Sequence, residues 1–411
     1  VAKKEEYSLM EMCKNKKQTV AMFSLKDARN IPRIFRSAEA LAEDWKVVSI
    51  CRNEHKGNKW SVNAPVDIRP IKLISENLPK ASIFWPIKYF EFAFRCITKG
   101  LKEKPTVCHG HEVQGAFPAW IVAKITKTPF VYDAHELECH RSGRIHTTIY
   151  GKLLRKTVKF LLKKANGVIC ASSARADVML NEYGITQRPT VIMNVTPQEG
   201  ILRGPDAVSP FNKEIADLKI VVYQGVVTPG RGLDVLVESL KHLPQNVHLL
   251  VVGDGAAMKA MEDIAISNSN QHRLCMVGRV PFEQVESYMR LAHVGVVIYQ
   301  NTCLNNYLCA PNKIFDYCSV GVPVVGSDFP EIKQIINEFE VGDVFDPDSP
   351  ESIASAIMKV LESNKKHALM KENAIKVKNS INWEQQQDRL KDLYINIFAS
   401  KHGNAKHNPQ K

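Results

Sequence analysis

The sequence predicts an α/β fold of two doubly wound, Rossmann-like αβα domains. Three observations carry this. Short runs rich in Val and Ile alternate with helical patterns roughly every 20 to 30 residues, as βαβ units do. The runs are continuously apolar, like parallel strands covered on both faces. The alternation breaks once, at 194–210 (NVTPQEGILRGPDAVSP), where three Pro and two Gly interrupt the periodicity and read as a linker.

Taken in order, the first half carries strand patterns at 19–23, 46–51, 106–109, 130–133, 167–171 and 190–193. The second half carries them at 219–224, 247–252, 274–277, 294–299 and 322–326. Helical patterns lie between, at 34–42, 150–164, 233–240 and 282–292. The expected domains are 1–200 and 201–385. A helix at 82–101 (SIFWPIKYFEFAFRCITKGL) stands apart. Lys88, Glu91, Arg95, Lys99 and Lys102 draw one polar stripe along it, opposite a wide aromatic arc. That pattern suits a helix packed on its own sheet and equally an interfacial helix on anionic lipid. In the second case Lys88, Arg95, Lys99 and Lys102 are the membrane contacts.

Composition sets the limits. A chain of 411 residues suggests two domains at about 150 residues each. With 45% hydrophobic and 24% charged residues, collagen, coiled coil, disulfide scaffold and wholesale disorder are excluded. Residues 1–200 hold 33 Lys and Arg against 19 Asp and Glu, and 201–411 hold 22 against 24. The basicity therefore belongs to the first half, which suits an anionic substrate, a nucleic acid or an anionic membrane. No apolar run reaches the roughly 18 residues of a spanning helix, and 1–17 lacks the apolar core of a secretory signal. Ten Cys without a CxxC pair fit a reducing cytoplasm.

Four segments could carry chemistry. In VVYQGVVTPGRG (221–232), Gly225, Gly230 and Gly232 surround Arg231 between a strand and a helix. Helix amides and dipole make this an anion site, although a glycine turn with an exposed Arg fits the pattern too. The Lys and Ser/Thr of a Walker A motif are absent. In LLVVGDGA (249–256), Gly253 and Gly255 end a strand, but Met258 replaces the third glycine of a dinucleotide fingerprint, so a tight turn is expected. In APNKIFDYCSVGVPVVGSD (310–328), Asn312 and Lys313 occupy the first helical turn and Asp316 shares their face. A cation there opposes the dipole, a poor structural choice unless it meets an anion; the alternative is a solvated Lys–Asp pair. In the first half, VCHGHEVQG (107–115) delivers His109, His111 and Glu112 to a strand end, and FVYDAHELECH (130–140) delivers Asp133, His135 and Glu136 to the next. An acid/base or hydrogen-bonding histidine is favoured over a metal site, because His135 and His140 are five apart and face different ways on a helix.

These segments together resemble the GT-B glycosyltransferases of the retaining family 4, the group 1 class, over about residues 18–398. The similarity rests on YQGVVTPGRGLDVLVESL, LLVVGDGA, VGRVPFEQVESYMRLAHVGVVIY and PNKIFDYCSVGVPVVGSDFPEI. In the first half it rests on DARNIPRIFRSAEALAEDWKVVSI, HGHE and VYDAHEL. The resemblance implies two domains facing a central cleft, and a helix at 386–411 packing back on the first domain before a frayed tail. It implies a nucleotide-diphosphate sugar as donor, with Arg231 and Lys313 at the diphosphate and Gly225, Gly253 and Asn312 beside them. Gly278–Val280, with Arg279 and Val280 as donor contacts, would lie against the base, and Asp316 at the ribose. His111 would be the catalytic histidine near the transferred sugar, with Asp133, His135 and Glu136 on the acceptor side. No metal or other cofactor is expected. Val226 stands where the family has a basic residue, and Leu308 where it has its first acidic one, leaving the sugar-ring contact to Asn306 or Tyr307. The expected function is a retaining hexosyltransferase of cell-surface polysaccharide or glycoconjugate synthesis. It would be peripheral on the cytoplasmic membrane face and act on a glycan or lipid-linked acceptor, with no nucleic acid. The alternatives are a sugar-nucleotide 2-epimerase or phosphorylase, and an inactive scaffold subunit.

Overall fold

In the computed structural model the described residues are 18–54, 65–79, 82–141, 148–195, 197, 207, 210–211 and 217–406, with side chains described as far as residue 400. The chain divides into two compact units, Val1–Met193 with Gln385–Lys411, and Asn194–Glu384. Segment 1–17 and most of the linker at 194–210 lie outside the described residues.

The first unit is built on β1 (Thr19–Ser24), α1 (Pro32–Ala42), β2 (Lys46–Arg52), β3 (Val66–Ile71), α2 (Trp85–Lys102), β4 (Val107–His111) and α3 (Glu112–Thr126). It continues with β5 (Phe130–Ala134), α4 (Ile149–Lys164), β6 (Gly167–Cys170), α5 (Ser173–Tyr183) and β7 (Thr190–Val191). Its seven strands are parallel, in the order β3-β2-β1-β4-β5-β6-β7. The order reverses between β1 and β4, the topological switch point where α/β sheets hold ligands. Strands β1, β4 and β5 are buried at every position, as their apolar runs require.

The second unit holds β8 (Lys219–Gln224), α6 (Leu233–Glu238), β9 (Val247–Val252), α7 (Met258–Ser267), β10 (Leu274–Gly278), α8 (Phe282–Arg290) and β11 (Val294–Val297). It continues with α9 (Leu304–Tyr307), α10 (Asn312–Ser319), β12 (Val324–Ser327), α11 (Pro330–Phe339), β13 (Gly342–Phe345), α12 (Pro350–Leu361) and α13 (Asn364–Ser380). The final helix, α14, runs over Trp383–Lys406. The six strands are parallel in the order β10-β9-β8-β11-β12-β13, with the switch point between β8 and β11. One apolar core of Val, Leu and Ile lies between this sheet and α6, α7 and α12.

The division falls after Met193, where the expected linker at 194–210 begins. Helix α14 extends to Lys406, so its helical run passes well beyond the expected fraying point at 401. The helix placed at 82–101 begins as a 3-10 turn over Ser82–Phe84, and Pro86 in its first turn fixes the α-helical start.

The cations of that helix are largely engaged by their own domain. Lys88 donates to the carbonyls of Leu78 and Pro79, Arg95 pairs with Glu91 at 2.8 Å, and Lys99 donates to the Pro70 carbonyl at 3.0 Å. Three of the four expected membrane cations are thus turned sideways, onto their own domain. Only Lys102 is exposed, and the outermost line of α2 is apolar.

Candidate functional site

Two clusters form, one at each switch point. In the first unit β4 and β5 run in register, with His111 opposite Asp133. Arg33, from the first turn of α1, grips both Asp133 oxygens, with Nη2 2.6 Å from Oδ1 and Nε 3.2 Å from Oδ2. Its Nη1 donates to the Ile192 carbonyl at 3.0 Å. His111 Nδ1 lies 3.1 Å from Asp133 Oδ2, and His135 Nε2 lies 3.4 Å from the same oxygen. His109 completes the group: its Nδ1 meets the Tyr394 hydroxyl of α14 at 2.6 Å.

The charges follow from this packing. Burial would raise the Asp133 pKa, but the Arg33 guanidinium and the surrounding histidines hold it well below the usual carboxylate range. Burial, reinforced by neighbouring His109, pulls His111 down to about 3, so its ring is neutral. A carboxylate only accepts, so the His111 proton sits on Nδ1 and its Nε2 presents a lone pair. That Nε2 has no hydrogen-bond partner among the described residues. The ring can therefore accept a hydrogen bond from a hydroxyl, while so low a pKa makes it a poor general base.

Donor atoms of His109, His111 and Asp133 lie within 4.8 Å of one another, close enough to gather on a cation. Both Asp133 oxygens are already used by Arg33, so this set fits an ion poorly.

Glu136 does not join the cluster. It pairs with Arg141 at 2.8 Å on the half-exposed rim. Glu138 is the buried glutamate instead. Its Oε1 accepts from the Val113 amide at the start of α3, and its Oε2 has no partner among the described residues. Burial pushes its pKa up to about 7.

In the second unit the turns after β8 and β9 lock together. A Cβ on Gly253 would lie 1.9 Å from the Gly225 carbonyl oxygen, and both glycines have positive φ. The Gly253 amide donates to Gly278 at the end of β10. Over this platform stand two cations and two aromatic rings. Arg231 lies 4.6 Å from the Tyr299 ring centroid, and Lys313 lies 5.2 Å from the same ring and 5.1 Å from that of Tyr223. The Ser327 hydroxyl, bonded to both the amide and the carbonyl of Tyr299, fixes that residue. Lys313 is buried in the first turn of α10, where burial pulls its pKa down. Among the described residues no carboxylate lies within ion-pair distance of Arg231 or Lys313. Two buried or half-buried cations without a carboxylate form a site for an anion.

Asp316 accepts from Gln224 Nε2 at 2.9 Å, at the edge of this group. Asn312 is exposed at the start of α10. Arg279, also exposed, and Val280 follow the end of β10, and no hydrogen bond or ion pair ties them to Arg231 or Lys313. Val226 is exposed and Leu308 is buried. Sequence reasoning missed Arg33, Tyr394 and Glu138 in the first unit and Tyr223, Gln224 and Tyr299 in the second.

Comparison with known proteins bears on both halves of the chain. The model of glycosyl transferases group 1 matches residues 207–377, and that of glycosyltransferase family 4 matches 33–197. The chain is 25% identical over 299 residues to one component of the phosphatidylinositol N-acetylglucosaminyltransferase of Arabidopsis thaliana, covering 71% of this chain and 59% of that protein. It is 20% identical to the chitobiosyldiphosphodolichol beta-mannosyltransferase of Candida albicans, over 94% of this chain and 89% of that one. Among solved structures, sucrose-phosphate synthase from Thermosynechococcus elongatus superposes with a TM-score of 0.75 at 19% identity, covering 93% of this chain and all of that one. Anabaena HepE in complex with UDP and glucose gives 0.70 at 13% identity, covering 91% and 98%. With both halves matched and the two switch-point sheets in place, the chain belongs to the group 1 glycosyltransferases of family 4 and has the GT-B fold.

Proposed function

We propose that this protein is a retaining hexosyltransferase that moves a sugar from a nucleotide-diphosphate donor to a lipid-linked or glycan acceptor. The reading rests chiefly on Arg231 and Lys313 converging on Tyr299 with no carboxylate among the described residues within ion-pair distance of either. A diphosphate leaving group supplies the missing negative charge, and oriented cations stabilise it as the glycosidic bond breaks. Asp316 binds the ribose side, Asn312 stands beside the diphosphate, and Arg279 and Val280 approach the base. Neutral His111 accepts a hydrogen bond from the transferred sugar. Asp133, held by Arg33, orients His111 and is not free to act as a nucleophile. Attack therefore comes from the same face, with the departing phosphate taking the acceptor's proton. The charge is handled without a metal. The work is done on the cytoplasmic membrane face, in assembly of a cell-surface polysaccharide or glycoconjugate.

The test is titration of nucleotide sugars against the parent, Arg231→Ala and Lys313→Ala. Loss of one charged contact to a phosphate is expected to weaken donor binding by roughly 1.5–3 kcal/mol, about tenfold or more. Unchanged affinity in both variants would remove the diphosphate from this site. An inverted anomeric configuration in the product, read by NMR, would overturn retention.

A further inference from the structure

The first unit carries an apolar face on two helices that no part of the described chain covers. On α2, Ile87, Phe90 and Phe94 are 53, 68 and 68% exposed. Their spacing of three and four residues puts them on one line. On α4, Ile149, Leu153 and Phe160 are 87, 61 and 42% exposed and likewise share a face. Trp85 and Tyr150 meet edge to face at 6.0 Å and join the two helices. Single exposed apolar residues need no explanation, but two aligned rows do.

The charge on α4 identifies the occupant. Its sequence, IYGKLLRKTVKFLLKK, has six basic residues and no acidic one. Lys152 and Lys156 are exposed and lie beside or within the apolar row, one turn apart. A second copy would set these cations against each other, and an uncharged apolar partner would leave them idle. Anionic headgroups above an acyl layer satisfy both features at once. The aromatic rings on α2 belong at the same interface.

We infer that the outer faces of α2 and α4 form one docking surface for an anionic lipid bilayer, with Phe90, Phe94 and Leu153 entering the acyl boundary and Lys152 and Lys156 meeting the headgroups. This deepens the reading that the acceptor is lipid-linked, and rests on it for its purpose. The cations that serve it are those of α4, not Lys88, Arg95 and Lys99, which are occupied by their own domain.

The experiment is flotation of the full chain with phosphatidylcholine vesicles, with and without phosphatidylglycerol. Phe90→Ser/Phe94→Ser and Lys152→Glu/Lys156→Glu are compared with the parent. The parent is expected to float only with the anionic vesicles, and each double variant to bind about tenfold more weakly or worse. Both variants should keep the parent's melting temperature and its turnover on a water-soluble acceptor. A parent that binds no vesicles, or variants that bind as the parent does, would overturn the surface. So would a dimer, seen by light scattering, that the same substitutions dissolve. Variants that lose vesicle binding while the parent transfers no sugar from any donor would support the surface and refute the glycosyltransferase reading instead.

Discussion

Replacing Arg33 with methionine would leave Asp133 as a buried anion without its cation. The pair is almost completely enclosed, with side chains 7 and 1% exposed. Arg33 makes three short contacts, two to Asp133 and one to the Ile192 carbonyl, and the variant loses all of them. Removing one partner of a buried pair costs about 3–5 kcal/mol. For a domain of this size each kcal/mol lowers the midpoint by about 2–4 °C, so the first unit should melt about 6–20 °C earlier. The sign with pH is fixed by the depressed pKa of Asp133. The stabilisation is complete above the unfolded value of about 3.9 and is lost as pH falls through the lower folded value. The gap between parent and variant should therefore be steady near neutrality and close in strong acid. Thermal or denaturant unfolding of the parent, Arg33→Met, Asp133→Asn and the double variant measures this. The double variant should recover much of the loss, since neither charge is then buried alone. The reasoning is refuted by an Arg33→Met protein within about 0.5 kcal/mol of the parent, or by a double variant no more stable than the singles.

Three further outcomes follow from the same geometry. Tyr394→Phe removes the hydroxyl on His109 and should cost about 1–2 kcal/mol, with turnover falling more than donor affinity; unfolding and steady-state kinetics would show it, and unchanged values in both would exclude a role. Glu138 is a carboxyl whose folded pKa lies near 7, above its unfolded value, so it costs stability increasingly as pH rises between the two. Glu138→Gln should thus match the parent in mild acid and exceed it above neutrality, and parallel pH profiles of the two melting temperatures would contradict this. Gly253→Ala would push a Cβ into the Gly225 carbonyl at a positive φ, so the second unit should lose more than about 1 kcal/mol, and a denaturation midpoint equal to the parent's would count against the locked turns.

Central strands were legible in the sequence because burial on both faces removes polar residues from them. Strands β3 and β13 were not. Val66–Ile71 is an edge strand with exposed Arg69 and Pro70, and Gly342–Phe345 is a four-residue edge with only Phe345 buried. In the sites, Lys313 could be found because a cation in a first helical turn is locally wrong. His111 and Asp133 could be found because strand ends gather chemistry. Arg33 and Tyr394 could not be found this way. Each looks ordinary in its own helix, and each meets its partner across about 100 to 285 positions of sequence. Glu136 was chosen over Glu138 because it stands nearer the strand end. After Ala134 the chain leaves the strand and enters a 3-10 turn at Glu138, so nearness to the strand end no longer tells which side chain points inward.

The hydroxyl of Tyr394 on His109 has a consequence for synthesis. Ribosomes release a chain from its N-terminus, and domains tend to fold as they emerge. The sheet bearing His109, His111 and Asp133 is translated before the whole second unit, yet a partner of its innermost histidine lies on the last helix. A nascent chain halted after the second unit thus holds an unfinished histidine cluster. The unit that emerges first is completed only after the second, and its buried histidine is sealed once α14 has been made.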